Sequence, residues 1–237
     1  MRASVVKARA WLDAAIDFAF PPLCLGCGEF VPEGVSVCRR CLQRIDRFEY
    51  PICLTCSNAV ERGSRCTLCG ADSLLLFAYG NYVDPLKQIV VQFKFRGIRT
   101  PARLFASLLA EKYSERIQSL GADLLVPIPL HMSREYHRGY NQALLLAKEL
   151  ECRLHVTCDD GRIFRVRKRR PQTRLRKTDR ASNIRGVFRA VPSGGQGRRV
   201  ILVDDVVTSG ATVREARNEL SQAGCTVVAV IAIGHGL

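Results

Sequence analysis

The stretch VILVDDVVTSGAT, which runs from Val200 to Thr212, decides the fold of this chain. Its first four residues, Val200–Val203, are all apolar and predict a buried strand. Two adjacent carboxylates, Asp204 and Asp205, are expected at the carboxyl end of that strand. A short loop follows at Thr208–Thr212, so the stretch predicts a strand–loop–helix unit.

The loop is rich in groups that bind anions. Three of its five residues carry hydroxyls, and it leads into a helix expected at Val213–Ala223. Free backbone N–H groups and the helix dipole stabilise an anion at such a position. Gly210 allows a tight turn and a close approach of the backbone to a ligand. The two carboxylates can accept hydrogen bonds from a diol, so the unit predicts a site for a ribose 5-phosphate.

The order of these parts resembles the motif that binds 5-phosphoribosyl-1-pyrophosphate (PRPP) in type I phosphoribosyltransferases. The resemblance covers the apolar strand, the two acids, the apolar pair Val206 and Val207, and Thr-Ser-Gly-Ala-Thr. It implies that Asp204 and Asp205 bind the ribose hydroxyls. It also implies that the 5-phosphate is bound by the loop residues Thr208, Ser209, Gly210, Ala211 and Thr212.

Apolar runs and helical patterns alternate along most of the chain. Strands are predicted at 73–82, 122–128, 188–191, 200–203 and 227–233, and helices at 85–95, 101–120 and 141–150. Such alternation predicts an α/β fold with a doubly wound parallel sheet. The resemblance of the Val200–Thr212 stretch implies that this sheet is of the type I phosphoribosyltransferase kind. Ligands of such sheets bind at the carboxyl ends of the strands, where the two acids are expected.

Cysteines dominate the region before this sheet. Eight of the eleven form four Cys-x-x-Cys pairs: Cys24 and Cys27, Cys38 and Cys41, Cys53 and Cys56, Cys66 and Cys69. Two such pairs complete a tetrahedral zinc site, so the pattern predicts a double zinc ribbon with two structural Zn²⁺ ions. Sequential pairing is favoured over interleaved pairing because its loops are shorter. A redox or iron–sulfur site is the competing interpretation.

The chain therefore divides into three predicted parts. Residues 1–22 form an amphipathic helix with Trp11, Ala15 and Phe18 on its apolar face, residues 23–70 the double zinc ribbon, and residues 71–237 the phosphoribosyltransferase-like domain. The longest apolar runs fall far short of the roughly 20 residues that span a membrane. No convincing export signal is visible, so a cytoplasmic location is expected.

Positive charge is the other global feature. The formal net charge is +14, and twelve Arg or Lys residues lie from Arg162 to Arg189 with one acid, Asp179. Such density favours polyanionic partners. A second basic stretch follows the strand that ends at Pro129. Candidates for contacts with nucleic acid or pyrophosphate, by charge, are Arg134, Arg138, Arg167 and Arg169.

Taken together, these parts resemble the ComF family of competence-associated proteins. The resemblance rests on the Cys-x-x-Cys region after Phe20-Pro21-Pro22, on Pro127-Ile-Pro-Leu, on Arg138-Gly-Tyr-Asn-Gln142, on the region from Gln172 to Phe188 and on the Asp204-Asp205 loop. It implies a role in the uptake or use of external DNA, as in natural transformation. It also implies binding of single-stranded DNA and of a PRPP-type ligand.

Two other functions fit the same residues. One is an active phosphoribosyltransferase on an unknown acceptor, with Mg²⁺ accompanying PRPP. The other is an adaptor whose ribbons dock onto a helicase or an uptake channel. No residue stands out as the group that binds a nucleobase or protonates a leaving group, so the catalytic residues are unknown. His131 and His137 lie near the predicted pyrophosphate loop, where a structural role is the commoner one.

Overall fold

A computed structural model describes residues 22–95, 97–130, 136, 138–166, 186–192 and 197–236. Within these residues the strands are β1 (Ile52–Cys53), β2 (Leu75–Asn81), β3 (Leu124–Pro127), β4 (Thr157–Cys158), β5 (Ile163–Arg165), β6 (Phe188–Ala190), β7 (Arg199–Val207) and β8 (Thr226–His235). The helices are α1 (Arg39–Arg44), α2 (Leu86–Phe95), α3 (Thr100–Gln118), α4 (Gln142–Leu154) and α5 (Ala211–Gln222), with a 3-10 turn at Gly70–Asp72.

The main sheet has the strand order β1-β2-β8-β7-β3-β4. Every neighbouring pair is parallel except β1 with β2, which is antiparallel. β5 and β6 form a separate antiparallel hairpin. The predicted α/β fold with a parallel sheet is therefore confirmed, and a short antiparallel edge strand adds to it.

Each face of the sheet has its own core. Helices α2, α3 and α4 cover one face, where Phe93, Phe105 and Leu146 are fully buried. On the other face, α5 and the β5–β6 hairpin bury Phe188 and Leu220. Burying a side chain of this size stabilises a fold by roughly 1.5–3 kcal/mol, so the helical layer on each face contributes to the stability of the domain.

Several predicted elements are observed with small changes at their ends. Helix α2 buries Leu86, Ile89, Val90 and Phe93, the apolar face that periodicity predicts. Helix α4 begins after Asn141, whose side chain accepts a hydrogen bond from the N–H of Ala143 at 3.0 Å. This is the usual role of Asn at a helix N-cap. The amphipathic helix predicted at 1–22 lies outside the described residues, apart from Pro22.

The key strand is longer than the apolar pattern predicts. β7 continues through Asp205 to Val207 because β8 extends alongside it to His235 and keeps the backbone paired. The prediction that the acids follow the strand is therefore wrong, since both lie within it. Helix α5 also begins at Ala211, two residues earlier than predicted.

The cysteine-rich region packs directly on the sheet and its helices. β1 contains Cys53 and forms the antiparallel edge of the main sheet. On α3, the Arg116 guanidinium donates to the carbonyl oxygens of Glu61 at 3.1 Å and of Gly63 at 2.8 Å. The second ribbon, which contains the cysteines from Cys53 to Cys69, is thus held by both a strand and a helix. No described helix is long and apolar enough to cross a membrane.

Candidate functional site

The two acids of β7 point to opposite faces of the sheet. Side chains alternate along a strand. Ile201 and Val203 belong to the core under α2, whereas Val200 and Leu202 belong to the core under α5. Asp205 therefore shares the α2 face, and Asp204 the α5 face.

Asp205 is paired with a lysine that sequence reasoning did not identify. The Nζ of Lys94, in the last turn of α2, lies 2.8 Å from Oδ1 of Asp205. Both side chains are largely buried, with 17% and 11% exposure. A charge pair that is this well shielded from water is screened little by salt. Lys94 thus places a cation beside the second acid of the motif.

Asp204 has a different environment. Its Oδ1 accepts a hydrogen bond from the N–H of Asp205 at 2.8 Å. Burial, together with the nearby Asp205 carboxylate, raises the pKa of Asp204 to about 7, against the opposing charges of Lys94 and Arg165. The Arg165 guanidinium lies 5.5 Å from the ring centroid of Phe188, so it is positioned by the β5–β6 hairpin. Each acid therefore has a cation of its own face nearby.

The loop after β7 has the geometry of an anion site. Gly210 adopts a left-handed conformation, with φ 68° and ψ 3°, and forms the N-cap of α5. The first N–H groups of the helix, from Ala211 onward, have no partner within the helix. Arg214 donates through Nη2 to the carbonyl oxygen of Ser209 at 2.6 Å and fixes the turn. The cavity over this loop is about 40 Å³ and is lined by Asp204 and by residues 206–213.

The end of β8 supports the loop from behind. The buried His235 ring lies with Nδ1 2.8 Å from the carbonyl oxygen of Val207. Since a carbonyl only accepts, Nδ1 carries the proton. The N–H of Gly236 donates to the same oxygen at 2.9 Å. Val206 and Val207 are thus the last paired residues of β7, and Thr208 starts the free loop.

Of the predicted arginines, the structure describes Arg138. Its Nη1 donates to Oε1 of Gln142 at 3.3 Å, and its guanidinium lies 5.0 Å from the ring centroid of Phe95. Phe95 directly follows Lys94 at the end of α2. The predicted residues Arg134, Arg167 and Arg169, together with His131 and His137, lie outside the described residues.

The eight paired cysteines form two compact clusters. Cys24, Cys27, Cys38 and Cys41 bring their sulfur atoms within 4.8 Å of one another, and so do Cys53, Cys56, Cys66 and Cys69. The Sγ atoms of Cys27 and Cys38 are 3.8 Å apart, and those of Cys56 and Cys66 are 3.7 Å apart. A tetrahedral site with Zn–S bonds of about 2.3 Å requires a separation of about 3.8 Å. The grouping is the sequential one, and both clusters fit Zn²⁺.

Known families match both halves of the chain. The model of the double zinc ribbon domain matches residues 15–71, and that of the phosphoribosyl transferase domain matches residues 138–234. Competence protein F of Haemophilus influenzae is 31% identical over 208 residues, which cover 82% of this chain and 88% of that protein. The chain belongs to the ComF family. DNA utilization protein YhgH of Salmonella typhimurium is 31% identical, and the aligned region covers 82% of this chain and 95% of that protein. Competence protein ComFC of Bacillus subtilis is 30% identical, and the aligned region covers 80% of this chain and 79% of that protein.

Membership of the ComF family accounts for the combination of a double zinc ribbon with a phosphoribosyl transferase domain. The double zinc ribbon match and the two four-cysteine clusters support two structural zinc ions. The phosphoribosyl transferase match includes β7, α5 and the whole loop between them. The match ends before His235, the residue that supports the loop from behind.

Proposed function

We propose that this ComF-family protein acts in the uptake or use of DNA and binds a PRPP-type ligand at the β7–α5 loop. The observation that carries the proposal is the arrangement of this loop: a left-handed Gly210, free N–H groups at the start of α5, and two acids on the preceding strand. Relatives that align over most of their length bear the names competence protein and DNA utilization protein.

The loop fits the 5-phosphate of the ligand. An anion over the helix N-terminus accepts hydrogen bonds from backbone N–H groups and is stabilised by the helix dipole, by about 0.3–1 kcal/mol for an exposed charge. The hydroxyls of Thr208, Ser209 and Thr212 add further donors. The lining of the loop cavity extends to Asp204, so a ribose attached to this phosphate reaches that acid.

The acid pair fits the rest of the ligand. Carboxylate oxygens accept from ribose hydroxyls and are also the ligands that Mg²⁺ prefers. When bound with PRPP, Mg²⁺ would neutralise pyrophosphate charge, and Asp204 and Asp205 would be the residues that hold it. Lys94 already neutralises Asp205 at 2.8 Å, so the site without its ligand leaves little uncompensated charge. The ammonium of Lys94 is also suited to a pyrophosphate oxygen.

Binding of single-stranded DNA is the second part of the proposal. The net charge of +14 supplies the electrostatic attraction that backbone contacts need. The basic residues from Arg162 to Arg189 include those of the β5–β6 hairpin, where the charge of Arg165 opposes the rise that burial causes in the pKa of Asp204. A DNA strand and a phosphoribosyl ligand would then bind to neighbouring parts of the same domain.

Isothermal titration of the zinc-loaded chain with PRPP and Mg²⁺ tests the proposed ligand. The wild type is expected to bind, and the double variant Asp204→Asn with Asp205→Asn is expected to lose at least tenfold in affinity. Asp159→Asn is a matched control, because that carboxylate pairs with Arg162 in the β4–β5 turn and not at the loop. Equal binding by all three chains, or no binding by the wild type, contradicts the proposed ligand.

An active phosphoribosyltransferase is a second candidate, favoured because the loop and Asp204 line one cavity. It predicts release of pyrophosphate from PRPP when the right acceptor is added. If the wild type binds PRPP but no nucleobase or DNA strand promotes release beyond that of the double variant, the site serves binding only.

A further inference from the structure

A large aromatic side chain is exposed at the edge of the candidate site. Phe95 is the last residue of α2 and is 68% exposed, whereas the apolar face of that helix is fully buried, with Leu86, Ile89, Val90 and Phe93 at 0%. It directly follows Lys94, whose ammonium lies 2.8 Å from Asp205. Single exposed apolar residues are common on protein surfaces. The surroundings of Phe95 are what distinguish it.

A guanidinium lies next to the exposed ring. The Cζ of Arg138 lies 5.0 Å from the ring centroid of Phe95, within the range of a cation–π contact. Nη1 of Arg138 donates to Oε1 of Gln142 at 3.3 Å. Gln142 is the first residue of α4 and is fully buried, and within the described residues its Nε2 has no hydrogen-bond partner. A buried amide thus helps to hold the guanidinium beside the ring.

The backbone under this pair is fixed by a buried tyrosine. The hydroxyl of Tyr140 contacts the carbonyl oxygen of Phe93 and that of Ile98, the latter at 3.2 Å. Its ring packs against Phe93, with centroids 6.0 Å apart, and the Cζ of Arg99 lies over the Tyr140 ring, 5.5 Å from its centroid. These contacts join the end of α2 to the start of α4. Groups that are already held in place lose little conformational entropy when a ligand binds.

We propose that Phe95 and Arg138 form a platform on which a nucleobase stacks, beside the phosphoribosyl site. Aromatic rings and guanidinium planes are the two kinds of group that stack on bases, and stacking accepts every base because each has a π-face. The positive charge of Arg138 also attracts the phosphates that accompany a base. This inference rests on the proposed function for its DNA partner and supplies the base contact that sequence reasoning did not find.

Two sources could supply the base. One is a single DNA strand, whose bases have free faces, and the other is a free nucleobase that enters next to PRPP. Both use the same stacking chemistry. The strand is the favoured source because the chain carries a net charge of +14 and the platform itself contains an arginine. A free base has no phosphate to respond to that charge.

Fluorescence anisotropy of the full zinc-loaded chain tests the platform with two probes of equal length and charge. One is a labelled oligothymidylate, and the other is the same sugar–phosphate chain without bases. The variants are Phe95→Ala, Phe95→Trp, and Phe30→Ala as a matched control. Phe30 is 77% exposed on the first ribbon, so its removal tests the loss of an exposed phenylalanine as such.

The expected result is specific to the base. Phe95→Ala weakens binding of the oligothymidylate by roughly 5- to 150-fold, the range for loss of one stacked base. It leaves binding of the base-free chain unchanged, Phe95→Trp restores affinity, and Phe30→Ala changes neither. The platform as a site for a DNA strand is rejected if Phe95→Ala weakens both probes equally or neither, or if the wild type binds the two probes alike or not at all. The platform as a whole is rejected if, in addition, no free base binds in a way that depends on Phe95.

Two further arms separate the source and the underlying proposal. Titration with free thymine and adenine shows whether a base alone binds to the platform. If a free base binds to the wild type but not to Phe95→Ala, the platform is supported, with a free base as its ligand. Titration of Phe95→Ala with PRPP and Mg²⁺ is expected to match the wild type. If the wild type fails to bind PRPP while the oligonucleotide contrast holds, the proposed ligand fails and the platform stands.

Discussion

At the scale of single residues, the two acids of the motif are neighbours in sequence but have different surroundings. Strand alternation directs Asp205 toward α2 and Asp204 toward the β5–β6 hairpin. Lys94 pairs with Asp205, and the charge of Arg165 acts on Asp204. Neither cation is visible as part of a motif, because each comes from a distant element. The acids are therefore expected to differ in their effect on stability.

The titration of Asp204 gives a prediction with a definite sign. Burial raises the pKa of Asp204 to about 7, whereas an unfolded aspartate titrates at about 3.9. Between these values the folded chain holds a proton that the unfolded chain has lost, so this residue's contribution to the free energy of unfolding falls as pH rises. Asp204→Asn stays neutral and lacks this dependence. In urea unfolding, the variant is expected to gain stability relative to wild type between about pH 5.5 and about pH 8.

The difference in stability between the wild type and Asp204→Asn reports on Asp204 alone, because the zinc ligands and the other carboxylates are the same in both proteins. A difference in stability that stays constant across this pH range would contradict the raised pKa.

The pair of Lys94 with Asp205 gives a second prediction. Lys94→Met removes the partner of a carboxylate whose side chain is only 11% exposed. Loss of one member of a fully buried pair costs 3–5 kcal/mol, and the residual exposure here lowers the expected loss to about 1–3 kcal/mol. Adding Asp205→Asn to Lys94→Met should recover part of it. Urea unfolding of the two single variants and the double variant measures the coupling, and strictly additive effects would show that the two side chains do not interact.

Among the helices and strands, some predicted elements depend only on their own residues, and others depend on distant parts of the chain. The buried face of α2 follows from its periodicity, with Ile89 and Phe93 where the pattern puts them. The pairing of cysteines follows from short loops. The length of β7 does not follow from its own residues, because Asp204 and Asp205 are poor strand formers. They are paired because β8, some thirty residues later, runs alongside to His235.

The first zinc ribbon gives a prediction at this scale. A Cβ added at Gly26 would lie 2.8 Å from Sγ and 3.1 Å from Cβ of Cys41. Gly26→Ala is therefore expected to displace a metal ligand and to speed the release of one of the two zinc ions to a chelating dye. Gly161→Ala is the matched control, because its nearest neighbour would lie at 3.7 Å. Release of both ions at wild-type rates from Gly26→Ala would show that the site tolerates the methyl group.

At the scale of the whole molecule, the ribbon region and the sheet form one packed structure. β1, which contains Cys53, extends the sheet, and Arg116 of α3 binds the backbone of the second ribbon. The predicted boundary at residue 70 marks a change in composition that the sequence displays clearly. The contacts across it were not predictable, since hydrogen bonds from a long side chain to distant carbonyl oxygens leave no pattern in the sequence.

The net charge gives a prediction for the whole chain. With +14 and most of the excess in arginine, binding of single-stranded DNA is expected to release several counterions. Affinity should fall by at least tenfold between about 50 mM and about 200 mM salt, as measured by anisotropy with oligothymidylate. An affinity that does not change over this range would argue against backbone contacts.

A crystal structure of the zinc-loaded chain grown with PRPP and Mg²⁺ tests most directly whether the β7–α5 loop holds the 5-phosphate of a phosphoribosyl ligand. We expect the 5-phosphate within hydrogen-bond distance of the backbone N–H groups at Gly210–Thr212, with the ribose hydroxyls at the acids. An empty loop at saturating ligand, or a phosphate bound elsewhere on the chain, would show that the loop is not the phosphate site.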